Sequence, residues 1–415
     1  MSRYSAWALA REGLRGQRGW EKAWRSPELG AAYDVVVVGG GGHGLATAYY
    51  LARDYGVRRV AVLERGWLGG GNTGRNTTTV RSNYFFPESA RLYDFALHLF
   101  EGLSRTLNFN VMLGQRGLIS LAHTPHQMEI LARGANAMLL NGVAVELLDA
   151  AGLRPWMPAA DFSADARFPI HGGLLQRRGG TARHDAVAWG YARAASALGV
   201  DIVQDCAVTG FDIDGGVRGV RTNRGDVRAQ AVVLAASGHS GVLAEMAGFR
   251  LPITSYALQA MVSEPMKPVL DPVVLSLATG TYVCQSDKGE LVFGGGLDLY
   301  PSYAQRGGLP VARQVIAGLL EVFPAFRRLK LLRQWAGVVD VCWDYSPVIG
   351  PAPVPGLYLN CGWGTGGFKA IPAGGWLTAH LVATGRHHDI SAPFDLSRFV
   401  SGRLIDEAAG AGISH

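Results

Sequence analysis

Cysteine and lysine are scarce in this chain, and long apolar runs are missing. Four cysteines in 415 residues, Cys206, Cys284, Cys342 and Cys361, show neither CxxC nor zinc-ligand spacing. That excludes a disulfide scaffold and a structural zinc, and it reads as free thiols in a reducing cytoplasm. No stretch reaches the ~18 consecutive apolar residues of a membrane span. The leader MSRYSAWALAREGLRGQRGWEKAW is basic without a continuous apolar core, so it reads as neither secretory signal nor anchor. Only five of the 39 basic residues are lysine, which leaves 34 arginines and a net charge of +6. Spread without a basic block, they point away from nucleic acid and toward anionic cofactors or a partner subunit. Internal repeats, coiled-coil heptads and low-complexity segments are also missing. The 48% hydrophobic and 17% charged content exclude a disordered chain.

Glycine is abundant, at 56 residues, and it concentrates where backbone must approach backbone or ligand closely. YDVVVVGGGGHGLATAYYLARDYGVRRVAVLERG, residues 33–66, reads as a buried strand, a glycine turn, a helix and a second strand ending in an acid. Gly39, Gly41 and Gly44 form GxGxxG, with Gly42 and His43 inside the turn. Glu64 follows twenty residues after Gly44, where a carboxylate accepts from ribose hydroxyls and repels a 2′-phosphate. This predicts a dinucleotide site and disfavours NADP. Residues 200–241 predict a strand, a three-stranded meander and a small-residue turn at 235–238. PGLYLNCGWGTGGFKAIPAGGWLTAHLVATG predicts a strand, a glycine loop and a helix near the C-terminus. A nucleotide domain assembled from the start, middle and end of a chain points to FAD rather than NAD.

TARHDAVAWG, residues 181–190, contains the pair His184-Asp185. From spacing alone, His184 or Asp185 begins the helix that follows, Asp being a good N-cap.

The blocks VAVLERGWLGGGNTGRNTTTVRSNY, GHSGVLAEMAGFRLPI and NCGWGTGGFKAIPAG, with the tail LIDEAAGA, resemble the beta subunits of heterotetrameric sarcosine oxidases, in the FAD-dependent D-amino-acid-oxidase superfamily. The resemblance runs from about residue 33 to the C-terminus. It implies noncovalent FAD, with contacts at Asn72, Arg75, Asn76, Thr77 and Val208, and at Gly364, Gly366, Gly367 and Lys369. It implies a second flavin, FMN, linked through its 8α-methyl to the histidine of a (K/R)HD motif, here Arg183-His184-Asp185. It also implies Arg81 and Lys369 as the groups that hold the substrate carboxylate. Sarcosine is the expected substrate, and alpha, gamma and delta subunits are the expected partners. Single-chain relatives attach FAD to a cysteine before the stretch matching DYSPVIG. Here Cys342 lies too close to Asp344 for that role, which favours noncovalent FAD.

The expected architecture is α/β, with a Rossmann-type FAD domain assembled from discontinuous segments at residues 30–95, 165–250 and 335–400. A mainly antiparallel substrate domain is expected at 96–164 and 251–334, with an N-terminal arm at 1–29 and a tail at 401–415. The expected activity is sarcosine oxidation, electrons passing from FAD to FMN and then oxygen. Two alternatives stay open: a related amine dehydrogenase subunit for proline, hydroxyproline or dimethylglycine, and a catalytically silent flavin-binding subunit. Neither a metal nor a nucleic-acid or membrane partner is expected.

Overall fold

The structure is a computed structural model that describes residues 5–19 and 22–405. Trp20, and most of the LIDEAAGA tail, lie outside the described residues.

The valine-rich strand Ala32–Val38 is the centre of the first sheet. It pairs in parallel with Gly225–Leu234 on one side and Val60–Leu63 on the other. Val60–Leu63 pairs in parallel with Asp201–Val203, and Gly225–Leu234 pairs in parallel with Leu357–Cys361. Early, middle and late segments therefore share one sheet. Such strands are covered on both faces, which is why they read as continuous apolar runs and not as alternation. Val36 and Val37 are fully buried on opposite faces of the sheet. Each such side chain contributes about 1.5–3 kcal/mol of burial. The meander is Val208–Ile213, Val217–Thr222 and the long strand Gly225–Leu234, joined antiparallel.

The second sheet has eight strands, in the order Leu331–Cys342, Ile253–Pro265, Glu290–Pro301, Thr281–Gln285, Val273–Ser276, Leu118–Ala122, Gly172–Gln176 and Glu146–Asp149. Its neighbours are antiparallel except Val273–Ser276 beside Leu118–Ala122. Strand Gly172–Gln176 and the edge strand Leu331–Cys342 both belong to this sheet.

Two helices bind the ends of the chain together. Gly42–Asp54 packs on Gly367–Thr384 so closely that a Cβ at Gly375 would lie 2.4 Å from that of Ala46. The first of these also packs on His184–Ala197 through Tyr50 and Tyr191, whose hydroxyls lie 3.1 Å apart. A two-stranded ribbon, Thr79–Val80 with Gly180–Thr181, joins the segment before Arg81 to the segment before His184. The leader carries the helix Ala6–Leu14, none of whose residues is buried. Its end returns to the chain at Arg25, whose backbone N–H donates to Ser196 Oγ at 2.9 Å. Among the described residues no helix is long and apolar enough to cross a membrane.

Candidate active site

The glycine turn opens a cleft of about 340 Å³ between the two sheets. Backbone crowding, not composition, fixes the glycines. Gly39 has φ +118°, and a Cβ there would meet the Ala235 carbonyl oxygen at 2.4 Å. A Cβ at Gly44 would lie 2.0 Å from the Gly39 oxygen. Gly41 differs, because its missing Cβ borders only Thr73 Oγ1, at 3.2 Å, so the turn is open toward the cleft. Thr73 Oγ1 accepts the Gly42 N–H at 2.9 Å. Glu64 uses both carboxylate oxygens as acceptors, from the N–H groups of Gly40 and Gly66 at 2.8 Å each, and still lines the cleft.

Most of the expected cofactor residues meet here. Gly39, Gly41, Gly42, His43 and Glu64 line one wall, and Asn72, Arg75, Asn76, Thr77 and Val208 continue it. Gly364, Gly367 and Lys369 close the far end. Gly44 and Gly366 shape the cleft from behind; a Cβ at Gly366 would strike the Tyr93 hydroxyl at 2.0 Å. The short turn Asn72–Arg75 is held by its own side chains. Arg75 donates to the carbonyls of Gly70 and Gly71, and Asn76 donates to that of Thr73. Asn72 ties the turn to Ser237 Oγ, at 2.7 Å, and to the Val338 carbonyl.

His43 stacks on Trp363, ring centroids 4.4 Å apart, and its Nε2–H donates to the Gly367 carbonyl at 2.9 Å. Burial lowers its imidazole to about 4, so the ring is neutral at physiological pH. The indole of Trp363 donates to Asn360 Oδ1 at 2.7 Å, and Asn360 in turn is bonded into the C-terminal helix. This chain fixes the glycine loop 362–367 against the first helix.

Arg81 and Lys369 are 4% and 6% exposed, and among the described residues neither has an acidic partner. Arg81 Nη1 donates to Asn83 Oδ1 at 2.7 Å, and its guanidinium lies 4.6 Å over the Tyr84 ring. Lys369 Nζ donates to the Thr365 carbonyl at 2.9 Å. Burial, with the Arg81 charge second, holds the Lys369 amine well below its ordinary range. Two buried basic side chains, neither with an acidic partner among the described residues, form a seat for a carboxylate. Arg81 sits behind the residues that line the cleft, and Lys369 reaches into it.

His184 does not line this cleft. It begins the helix His184–Ala197, with Arg183 as the cap residue. Asp185 is therefore not the N-cap. It receives Arg183 Nη2 at 2.7 Å and Nε at 3.2 Å instead. His184 Nδ1 is buried and has no hydrogen-bond partner among the described residues. Burial lowers its imidazole, with Asp185 opposing and Arg183 reinforcing.

Residues 34–381 match a family model described as FAD dependent oxidoreductase (DAO). The chain belongs to the FAD-dependent oxidoreductases. Within them it is 52% identical, over all of both chains, to "Sarcosine oxidase subunit beta" of Rhodobacter capsulatus. It is 53% identical to the protein of the same description from Rhizobium meliloti, covering 98% of this chain and 97% of the relative. The fold of these oxidoreductases recurs in L-proline dehydrogenase from P. horikoshii, with TM-score 0.85 and 26% identity, covering 91% of this chain and 100% of that one.

In this FAD-dependent oxidoreductase Ser237 and Gly238, from the small-residue turn legible in the sequence, line the cleft. His239 beside Arg65, Gly337 and Asp340 also line it and carry no signal in the sequence. His239 lies in the cleft wall with Tyr303 against it, ring centroids 5.0 Å apart.

Proposed function

We propose that this chain is the catalytic subunit that oxidises sarcosine within a complex of alpha, beta, gamma and delta subunits in the cytoplasm. FAD is held noncovalently in the cleft, and FMN is carried on His184. The observation that carries the reading is a pair of buried basic side chains without an acidic partner among the described residues, Lys369 in the lining of a dinucleotide cleft and Arg81 behind it. FAD, when bound, supplies the acceptor for a hydride from the substrate N-methyl C–H. The chain binds, aims and manages protons. Arg81 supplies a permanent charge for the carboxylate. Lys369, its amine held well below the ordinary range by burial, takes the ammonium proton of an entering zwitterion at Nζ. It then pairs with the carboxylate as a cation, leaving the substrate amine neutral. The amides of Gly364–Gly367, at the start of a helix, receive negative charge as an oxyanion hole does. Iminium hydrolysis then gives glycine and formaldehyde, or methylenetetrahydrofolate where a partner supplies folate. FMN, if bound at His184, would supply the relay of the two electrons to oxygen, which with two protons gives hydrogen peroxide.

The FMN assignment is supported by an imidazole that burial lowers and whose Nδ1 lacks a partner among the described residues, on a residue outside the lining of the FAD cleft. Mass analysis of the tryptic peptide 184–193 from the co-expressed complex tests it. An FMN-sized increase is expected; an unmodified peptide in a complete complex contradicts it. Lys369→Met is expected to weaken binding of a small carboxylate inhibitor about 10- to 100-fold, the worth of a charged hydrogen bond. FAD stays bound. Unchanged inhibitor affinity contradicts the carboxylate seat.

A further inference from the structure

Asp340 stands in the cleft wall on the edge strand Leu331–Cys342 and is 1% exposed. Among the described residues it makes no ion pair; its bonds run to neutral donors. Oδ2 accepts the Gly362 N–H at 2.6 Å, and Oδ1 accepts the Ser237 hydroxyl at a longer 3.3 Å. Asp344, four residues on, is equally buried but is clamped by Arg398 through Nε at 2.7 Å and Nη2 at 2.9 Å. Of these two buried acids, one is neutralised by a guanidinium and the other is met only by dipoles. Burial pushes the Asp340 carboxyl up to about 6 against the pull of its hydrogen bonds.

Among the described residues no cation is hydrogen-bonded or ion-paired to this carboxyl. Ser255 lies opposite on the paired strand Ile253–Pro265. The turn Ser237–His239 brings a histidine whose own burial keeps it neutral. Cys342 on the same strand and Cys361 before the glycine turn carry thiols raised by burial, both also by the charge of Asp340. Arg75 spends its guanidinium on the Gly70 and Gly71 carbonyls, and Lys369 bonds to Thr365.

Position gives this carboxyl its consequence. Gly362, with φ +72°, and Gly364, with φ +51°, turn the chain from strand Leu357–Cys361 into the helix Gly367–Thr384. Asp340 braces that turn from behind. Under the reading above, the same turn receives negative charge when the dinucleotide is reduced. An ionised carboxylate there opposes that charge, and a neutral one does not.

We propose that Asp340 is the proton-holding residue of the cleft, taking one proton from solvent as negative charge is placed on the bound dinucleotide and releasing it when that charge leaves. The electrons come from the substrate and stay on the dinucleotide; only a proton moves to the carboxylate oxygen. The inference rests on the cleft as the seat of FAD.

The test is a reductive titration of the FAD-loaded complex across pH, with reduced-minus-oxidised infrared spectra, for the natural chain and Asp340→Asn. Asparagine keeps an acceptor for the Gly362 N–H while removing the ionisation. At about pH 7.5, where the carboxyl is largely ionised before reduction, the natural protein is expected to take up as much as about one more proton per two electrons than the variant. It is also expected to show a protonated-carboxyl band on reduction that the variant lacks. Equal proton uptake with no such band overturns the proposal. Should Asp340→Asn fail to fold, carbon-13 aspartate labelling of the natural protein decides. A reduction-induced carboxyl band that shifts on labelling supports the proposal, and its absence overturns it. Failure of the cleft assignment is distinguishable, because it shows as FAD retained by Gly44→Leu.

Discussion

Lys369 is the residue on which chemistry and stability meet. Its folded-state pKa lies below that of the unfolded chain, so the unfolded state binds more protons between the two values. Stability of the substrate-free protein is therefore expected to rise with pH through that window as burial of a charge is relieved. Melting temperature against pH measures this, and Lys369→Met should flatten the rise. An unaltered slope contradicts a buried, depressed amine. Gly44 gives a second prediction at this scale. With the Gly39 oxygen 2.0 Å from the place a Cβ would occupy, Gly44→Ala is expected to cost about 1–3 kcal/mol by overpacking and to lower the FAD-to-protein ratio on purification. Gly44 stands out in the sequence because its signal, GxGxxG, is local, whereas Lys369 enters only through the family resemblance. Asp340 does not stand out. Its burial and its bond to Gly362 depend on strand pairing between segments remote in sequence, and an isolated aspartate in GVVDVCWD carries no mark of either.

Among the elements, the parallel strands and glycine helices were readable because buried strands are uniformly apolar and the helix start carries its glycines. The edge strand Leu331–Cys342 was less so. It supplies the cleft with residues 337–340 while pairing along its length with Ile253–Pro265 of the second sheet, a division that no periodicity reveals. The ribbon of Thr79–Val80 with Gly180–Thr181 has a similar status: two residues per strand are too few to read, yet it holds the Arg81 and His184 segments side by side. The C-terminal elements depend on the Arg398–Asp344 pair, which joins the helix Arg398–Ser401 to the turn after the edge strand. Arg398→Met leaves a buried carboxylate unpaired and is expected to cost about 3–5 kcal/mol in urea unfolding. A loss below about 1 kcal/mol would mean that the pair is not buried as described.

At the scale of the whole molecule, two sheets enclose one dinucleotide cleft. The cations that would hold a substrate come from segments far apart in sequence, Arg81 after the short ribbon and Lys369 on the C-terminal helix. The central claim is that this cleft oxidises an N-methyl amino acid at its FAD. Anaerobic mixing of the fully flavinylated complex with sarcosine tests it most directly, followed by flavin absorbance. Bleaching of FAD by sarcosine, lost or strongly slowed in Lys369→Met with its flavin retained, is the predicted result. FAD that stays oxidised under sarcosine but bleaches with proline would contradict the claim and make this chain a cyclic-amine dehydrogenase subunit.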